Sequence, residues 1–193
     1  YRVLRKIGEG GMGRVYLAEH TKLRRKVAIK VLRPECAKSP KVVARFFAEA
    51  RAVIQIAHAH IVEITDFVDD PERDCYYVME LLRGRDLAQE LASGVPLSPE
   101  RLVDIGTQVA SAVAAAHDAQ IIHRDLKPEN VFLTERDGRV DYVKLLDFGV
   151  AKLSHQELLD VPLDKTSAGS VVGTPQYMSP EQAAGRDIDG RSD

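Results

Sequence analysis

Two stretches of this chain combine residue types that could do chemistry. His123-Arg124-Asp125-Leu126-Lys127-Pro128-Glu129-Asn130 is followed, 22 residues beyond Asp125, by Asp147-Phe148-Gly149. A carboxylate with a lysine close behind suits acceptance of a hydroxyl proton beside a negatively charged phosphoryl group. A second carboxylate with an asparagine oxygen suits Mg²⁺, a hard ion that prefers oxygen ligands. Upstream, Gly8-Glu9-Gly10-Gly11-Met12-Gly13-Arg14-Val15 fits GxGxxGxV. Glycines let a backbone approach phosphate oxygens closely and offer its N–H groups, although alone the pattern reads equally as a flexible turn. A dinucleotide-binding loop should open a helix, whereas Arg14–Glu19 alternates like a strand. A P-loop needs Lys-Ser/Thr after its last glycine, and none follows Gly13. What remains is a glycine-rich hairpin lying over phosphates. Val27-Ala28-Ile29-Lys30 places a lysine inside an apolar strand, which is costly unless the charge is paired. In helical projection Glu49 falls between Val42, Val53 and Ile56, bordering the buried side of its helix, and makes Lys30 a natural partner. Two plainer alternatives stay open: Lys30 on an edge strand facing water, and Glu49 on a solvated helix face.

The elements that must position these groups follow from periodicity. Residues 1–7, 14–19 and 26–32 read as strands around the glycine cluster. Lys41 to Ala57 carries Val42, Phe46, Ala50, Val53 and Ala57 at helical spacing. Residues 61–68 and 75–82 are strand-like and separated by Asp69-Asp70-Pro71. After Gly84 the character changes. Ser98-Pro99-Glu100 is a helix start, with Leu102, Ile105, Val109, Ala112, Val113 and Ala116 continuing the stripe to about Ala119. Short strands around 131–133 and 143–145 flank a turn at Asp137-Gly138. Beyond Asp147 some thirty residues rich in Ser, Thr, Gly and Asp have no periodicity, and such a stretch is usually functional.

Bulk properties exclude several classes. The chain has 193 residues, with 27 Lys+Arg against 29 Asp+Glu and a net charge of −2. That balance removes the electrostatic case for nucleic-acid or membrane-surface binding. With 45% hydrophobic and 29% charged residues the composition is globular, and a chain this long can bury roughly 70% of its unfolded surface. No apolar run reaches the length of a membrane span; the longest, Val109 to Ala116, runs into His117 and Asp118. Cys36 and Cys75 lie far apart, form no CxxC, and are expected to be unbridged in a reducing compartment. A cytoplasmic location is expected, with any membrane anchor outside this segment. His58 and His60 form an HxH that lacks further ligands nearby, and His20, His117 and His155 are expected at the surface.

Taken together in this order, the motifs resemble a eukaryotic-type protein kinase catalytic domain. The wording of HRDLKPEN, and of Gly173-Thr174-Pro175-Gln176-Tyr177-Met178-Ser179-Pro180-Glu181, is similar to the serine/threonine branch, and YMSPEQ to its bacterial members. The resemblance implies an α+β, bilobal fold: residues 1–82 as a small antiparallel sheet with one long helix, and residues 83–193 as part of a mostly helical lobe. It implies ATP and Mg²⁺ as cofactors, and transfer of the γ-phosphate to Ser or Thr of protein substrates. Ile7, Gly8, Glu9, Gly10, Gly11, Met12, Gly13, Arg14 and Val15 would cover ATP. Lys30, anchored by Glu49, would hold its α- and β-phosphates. Met79 would stand behind the adenine, whose edge would meet the backbone of Glu80 and Leu82, with Val15, Ala28 and Phe132 on its faces. Asp125 would orient the acceptor hydroxyl and take its proton, Lys127 would steady the transferred phosphate, and Asn130 and Asp147 would bind Mg²⁺. Thr174 would bond Asp125 and Lys127. Val53, Ile64, Phe148 and His123 would stack as a column.

Arg124 before the catalytic aspartate resembles kinases activated by phosphorylation after the DFG motif, with Thr166 first among the candidates, then Ser167 and Ser170. Ala59 stands where the family usually has proline, and Ser179 where many relatives have alanine. Asp193 resembles an aspartate that bonds the HRD backbone and opens a long buried helix. That helix lies beyond the sequence in hand, so the chain is expected to stop within the larger lobe and to leave apolar surface beneath Leu126 open. The second reading is a catalytically inert nucleotide-binding or interaction module.

Overall fold

A computed structural model describes residues 1–10, 12–70, 74–148 and 175–193. Five strands form one antiparallel sheet in the order β1-β2-β3-β5-β4: β1 (Arg2–Glu9), β2 (Gly13–Glu19), β3 (Lys26–Leu32), β4 (Ile64–Asp69) and β5 (Cys75–Glu80). β3 is central because it is the most apolar, and its alternation sorts the faces. Val27 and Ile29 join Ala18 and Val78 in one apolar cluster, while Ala28 and Lys30 look the other way, into a cleft. Gly13 pairs with Leu32, and a Cβ on it would lie 2.8 Å from the carbonyl oxygen of Val31, so only glycine lets β2 approach β3 there.

Between β3 and β4 the chain forms a short helix α1 (Pro34–Ala37), then α2 (Pro40–Ile56). Pro40 starts α2 at its first position, where no N–H is needed. The expected stripe is buried at Val42, Phe46, Ala50 and Val53, and Phe47, Ala52 and Glu49 are buried with it. Ala57 ends the helix in the left-handed conformation, φ 44°, rather than continuing it. The expected strand at 61–68 is shorter: Ile61 makes only an isolated parallel bridge to Leu145, and β4 begins at Ile64.

After β5 come β6 (Gly84–Asp86) and α3 (Leu87–Ala92), neither of which the periodicity disclosed. Gly84 sits at φ +145°, and a Cβ there would meet the Leu133 oxygen at 2.0 Å. Then α4 (Pro99–Asp118) starts where Ser98 accepts from the Arg101 N–H. Its stripe departs from expectation at two places: Leu102 is exposed, and the polar Gln108 is buried. β7 (Val131–Arg136) and β8 (Arg139–Leu145) pair as a hairpin, longer than expected, with β6 on the other edge of β7. Its turn residues Asp137 and Gly138 have φ of 51° and 77°, as a primed hairpin turn requires. A last short helix, α5 (Pro180–Ala183), is closed by a Ser179/Gln182 capping box. One apolar core runs continuously from α2 and β5 through α4 to β7, β8 and Phe148.

Candidate active site

The cleft between the five-stranded sheet and the β6–β8 sheet encloses about 1250 Å³. β7 and β8 deliver its chemistry. Asn130 lies at the foot of β7 and Asp147 two residues past β8, and the Leu146 N–H donates to the Asn130 backbone oxygen across the pair at 2.8 Å. The loop before β4 moors the end of β8: Leu145 N–H donates to the His60 oxygen, and Val62 N–H to the Leu145 oxygen. Asp147 is thereby held under β3.

Lys30 is almost wholly buried, with Nζ 2.6 Å from Asp147 Oδ1 and 3.2 Å from Glu49 Oε1. Both plainer alternatives for this pair are therefore excluded: β3 is central, and Glu49 points inward. Burial alone would pull the Lys30 pKa down, but the Asp147 and Glu49 carboxylates hold it well above its ordinary value. Glu49 is also raised, but for the opposite reason: burial lifts it against the pull of Lys30. Asp147 resists the same burial penalty because Lys30 lies against it, and it stays below the usual carboxylate range. Although walled in by the cleft, Asp147 keeps 52% of its side-chain surface open. One cation and two carboxylates leave an excess of one negative charge at this opening.

The loop between α4 and β7 holds a third carboxylate. Asp125 Oδ2 lies 3.1 Å from Lys127 Nζ and 3.2 Å from Asn130 Nδ2, which also donates to the Asp125 backbone oxygen at 2.7 Å. The Asn130 amide nitrogen is thus committed within the loop, leaving its oxygen as an acceptor. Burial lowers the His123 pKa, so the ring is neutral. Its Nδ1 accepts from the Asp125 N–H and its Nε2 donates to the Leu146 oxygen. Arg124 and Asp147 adopt φ of 66° and 46°, a left-handed conformation that non-glycine residues hold only where the surroundings enforce it. For Arg124 the enforcing group is Asp193, whose carboxylate accepts from the N–H groups of His123 and Arg124 at 2.7 and 2.8 Å.

All four residues of the expected column are buried, and the rings of His123 and Phe148 lie 4.5 Å apart between centroids. Ile7, Gly8, Glu9, Gly10, Met12, Gly13, Val15, Ala28, Met79, Glu80, Leu82 and Phe132 all line the cleft. Arg14 does not: strand alternation turns it outward, where it pairs with Glu9. Gly11, Thr166, Ser167, Ser170 and Thr174 lie outside the described residues. His117, expected at the surface, is half-buried and bonds Asp193 Oδ2 at 2.8 Å. His58 and His60 do not converge as ligands: His58 bonds Ser111, and His60 bonds the Val143 oxygen. Among the described residues no cluster of three His, Cys, Asp or Glu could hold a metal ion.

The sequence matches the family described as the protein kinase domain over residues 1–193. The chain belongs to this family. It is 47% identical to serine/threonine-protein kinase Pkn1 of Myxococcus xanthus, over the whole chain and 27% of that relative. It is 40% identical to serine/threonine-protein kinase PrkC of Bacillus subtilis, over 96% of the chain and 27% of the relative. The crystal structure of the Mycobacterium tuberculosis PknI kinase domain superposes with a TM-score of 0.71 at 32% identity, covering 98% of this chain and 67% of that one. The chain therefore spans about a quarter to a third of the length of the curated kinases it matches, and the protein kinase fold covers nearly all of it. Tyr77, beside Glu49, is a site neighbour that sequence reasoning missed. No helix among the described residues is long and apolar enough to cross a membrane.

Proposed function

We propose that this chain is the catalytic part of a serine/threonine protein kinase that transfers the γ-phosphate of ATP, with Mg²⁺, to Ser or Thr hydroxyls of proteins. Residues 1–82 act as its smaller lobe and residues 83–193 as the near side of its larger one. The observation that carries the reading is the convergence of Lys30, Glu49 and Asp147, separated by up to 117 residues, on the cleft that Asn130 and Asp125 also face. The donor set fits a magnesium ion: one open carboxylate, one amide oxygen and an uncompensated negative charge. Mg²⁺ takes few protein ligands and completes its shell with water and phosphate oxygens.

When bound, magnesium ATP supplies the phosphoryl group and neutralises the charge that develops on it. Gly8, Gly10 and Gly13 let the loop backbone lie close over the phosphates, and Lys30 supplies the ammonium beneath them. Ala28, Val15 and Phe132 exclude water from the adenine faces, while the backbone of Glu80 and Leu82 meets its edge. Asp125 orients the acceptor hydroxyl and takes its proton on the carboxylate, and Lys127 steadies the transferred group. Most of the rate comes from positioning and charge stabilisation. Phosphate on Thr166, Ser167 or Ser170 would pair with Arg124 and order the segment after Asp147.

Asp125→Asn in the full-length protein tests this directly. Transfer to a protein acceptor should fall about 10²–10⁴-fold, while magnesium ATP still binds with nearly unchanged affinity in a calorimeter. Equal loss of both would overturn the roles, and a wild-type protein that binds ATP but phosphorylates nothing would be an interaction module.

A further inference from the structure

We propose that Tyr77 is a positioning residue that keeps Glu49, and with it α2, docked on the sheet independently of Lys30. The inference rests on the kinase reading of the same cleft and adds a part to it.

Tyr77 stands opposite Lys30 in the β3–β5 ladder, two residues before Met79 and so on the same face of β5. Its side chain is buried, and its ring stacks against Phe46 of α2 with centroids 4.9 Å apart. A phenol in such a place must find a hydrogen-bond partner, and this hydroxyl donates to Glu49 Oε1 at 3.3 Å. Lys30 Nζ lies 5.6 Å from the centre of the same ring, within reach of a cation–π contact. Burial raises the Tyr77 pKa well above its ordinary value, so the hydroxyl keeps the proton it donates.

The two donors to Glu49 have different obligations. Lys30 is shared, and its nearer partner is Asp147 rather than Glu49. Phosphates entering the cleft compete for the same ammonium. A buried carboxylate that loses its cation is left uncompensated, which is costly. The Tyr77 hydroxyl is held by the sheet, carries one hydrogen, and has spent it on Glu49. It therefore retains the carboxylate while Lys30 is drawn toward a ligand.

Tyr77→Phe keeps the ring and removes only the hydroxyl. The test follows amide hydrogen exchange of residues 40–56 in the nucleotide-free, full-length protein, in wild-type and Lys30→Met backgrounds. With Tyr77 present, Lys30→Met should leave α2 protected. Adding Tyr77→Phe should speed exchange there about tenfold or more, with α4 unchanged. In the Lys30 background, Tyr77→Phe should raise KM for ATP by about 3-fold or more with kcat nearly constant, because it lowers the binding-competent fraction. Unchanged exchange and KM would overturn the proposal, as would a rise in exchange spread evenly over every element. The exchange result does not depend on catalysis, so a protein that fails to phosphorylate would refute the kinase reading and leave this one standing.

Discussion

Lys30 and Arg101 are both cations drawn in from solvent, and each meets two carboxylates, yet the two clusters are built to different ends. Arg101 binds Asp141 with two parallel bonds of 2.6 and 2.8 Å and Glu90 with a third of 2.6 Å. Arg85 adds a second cation to Glu90. Two positive and two negative charges cancel, and the Arg101–Asp141 pair is the planar fork that guanidinium favours. The Arg101 hydrogen bonds hold Asp141 below the usual carboxylate range despite its burial. This group joins β6, α3, α4 and β8, and Gln108 extends it by bonding the Asp141 oxygen and the Val143 N–H at 3.0 Å each. Around Lys30, by contrast, one ammonium serves two acids, the charges do not cancel, and Asp147 is half open. A closed, neutral cluster is a brace. An open one with charge left over is set up to receive a ligand.

The contrast breaks most visibly in the two cation deletions. Lys30→Met should lower phosphate transfer by about 10²–10³-fold, the usual loss when one preorganised charge donor is removed, while the melting temperature of the domain moves by only a few degrees. Asp147 then turns to the cleft water, and Glu49 keeps the Tyr77 hydroxyl. A melting temperature lowered as far as that of the next variant would show that the cleft cluster is also a brace.

Arg101→Met should do the reverse. It leaves Asp141 without its cation and Glu90 with Arg85 alone, a defect of about 3–5 kcal/mol in enclosed sites, reduced here because Arg101 is itself partly exposed and Arg85 stays on Glu90. The expected drop in melting temperature is on the order of 10 °C, at about 2–4 °C per kcal/mol for a domain of this size. Below the melting range, KM for ATP should stay near the wild-type value. A raised KM with normal stability would make the brace part of the site.

What the sequence disclosed divides along the same line. Asp125, Asn130 and Asp147 announce themselves because each sits in a short contiguous pattern whose residue types suit one chemistry, whereas Lys30 in its strand leaves an edge position open until Glu49 is set beside it. Glu49 was legible through helical projection alone. The brace was not legible: Glu90, Arg101 and Asp141 come from three elements, and each reads locally as an ordinary solvated charge. Tyr77 was hidden by its fitness for a strand, where an aromatic needs no further reason. Leu102 and Gln108 exchanged their expected places because hydropathy ranks them one way while the backbone groups at Asp141 and Val143 need an amide between them. Arg14 went astray for a different reason. The glycine pattern groups Arg14 with its neighbours, whereas strand alternation already turns Arg14 away from the face that Gly13 and Val15 present. The left-handed backbone at Arg124 and Asp147 has no signature in residue type at all, since it is imposed by Asp193 and by the mooring of β8.

The smallest effect separates the clusters most finely. Glu49 is raised by burial and faces Lys30 from β3, Tyr77 from β5 and Asp147 beyond β8. Its folded pKa therefore lies above its unfolded one. Between those two values the folded state binds more protons, so this group's contribution to stability falls as pH rises. Asp141 is the opposite case: its folded pKa is depressed, and its contribution is present above the unfolded value and lost as pH falls. Glu49→Gln keeps the shape and one acceptor oxygen but removes the buried charge, so at neutral pH it should be neutral to stabilising, by no more than about 1–2 kcal/mol. Its advantage over wild type should grow from about pH 4.5 upward and then level off, whereas Asp141→Asn should lose stability over wild type in the same direction. Thermal melts of both variants from about pH 3 to 8 would read the two slopes, that of Asp141 below its unfolded value and that of Glu49 above its own. Slopes of the same sign would mean that Glu49, like Asp141, is charged for the sake of the fold, and that the open cluster owes its form to something other than the ligand it is built to receive.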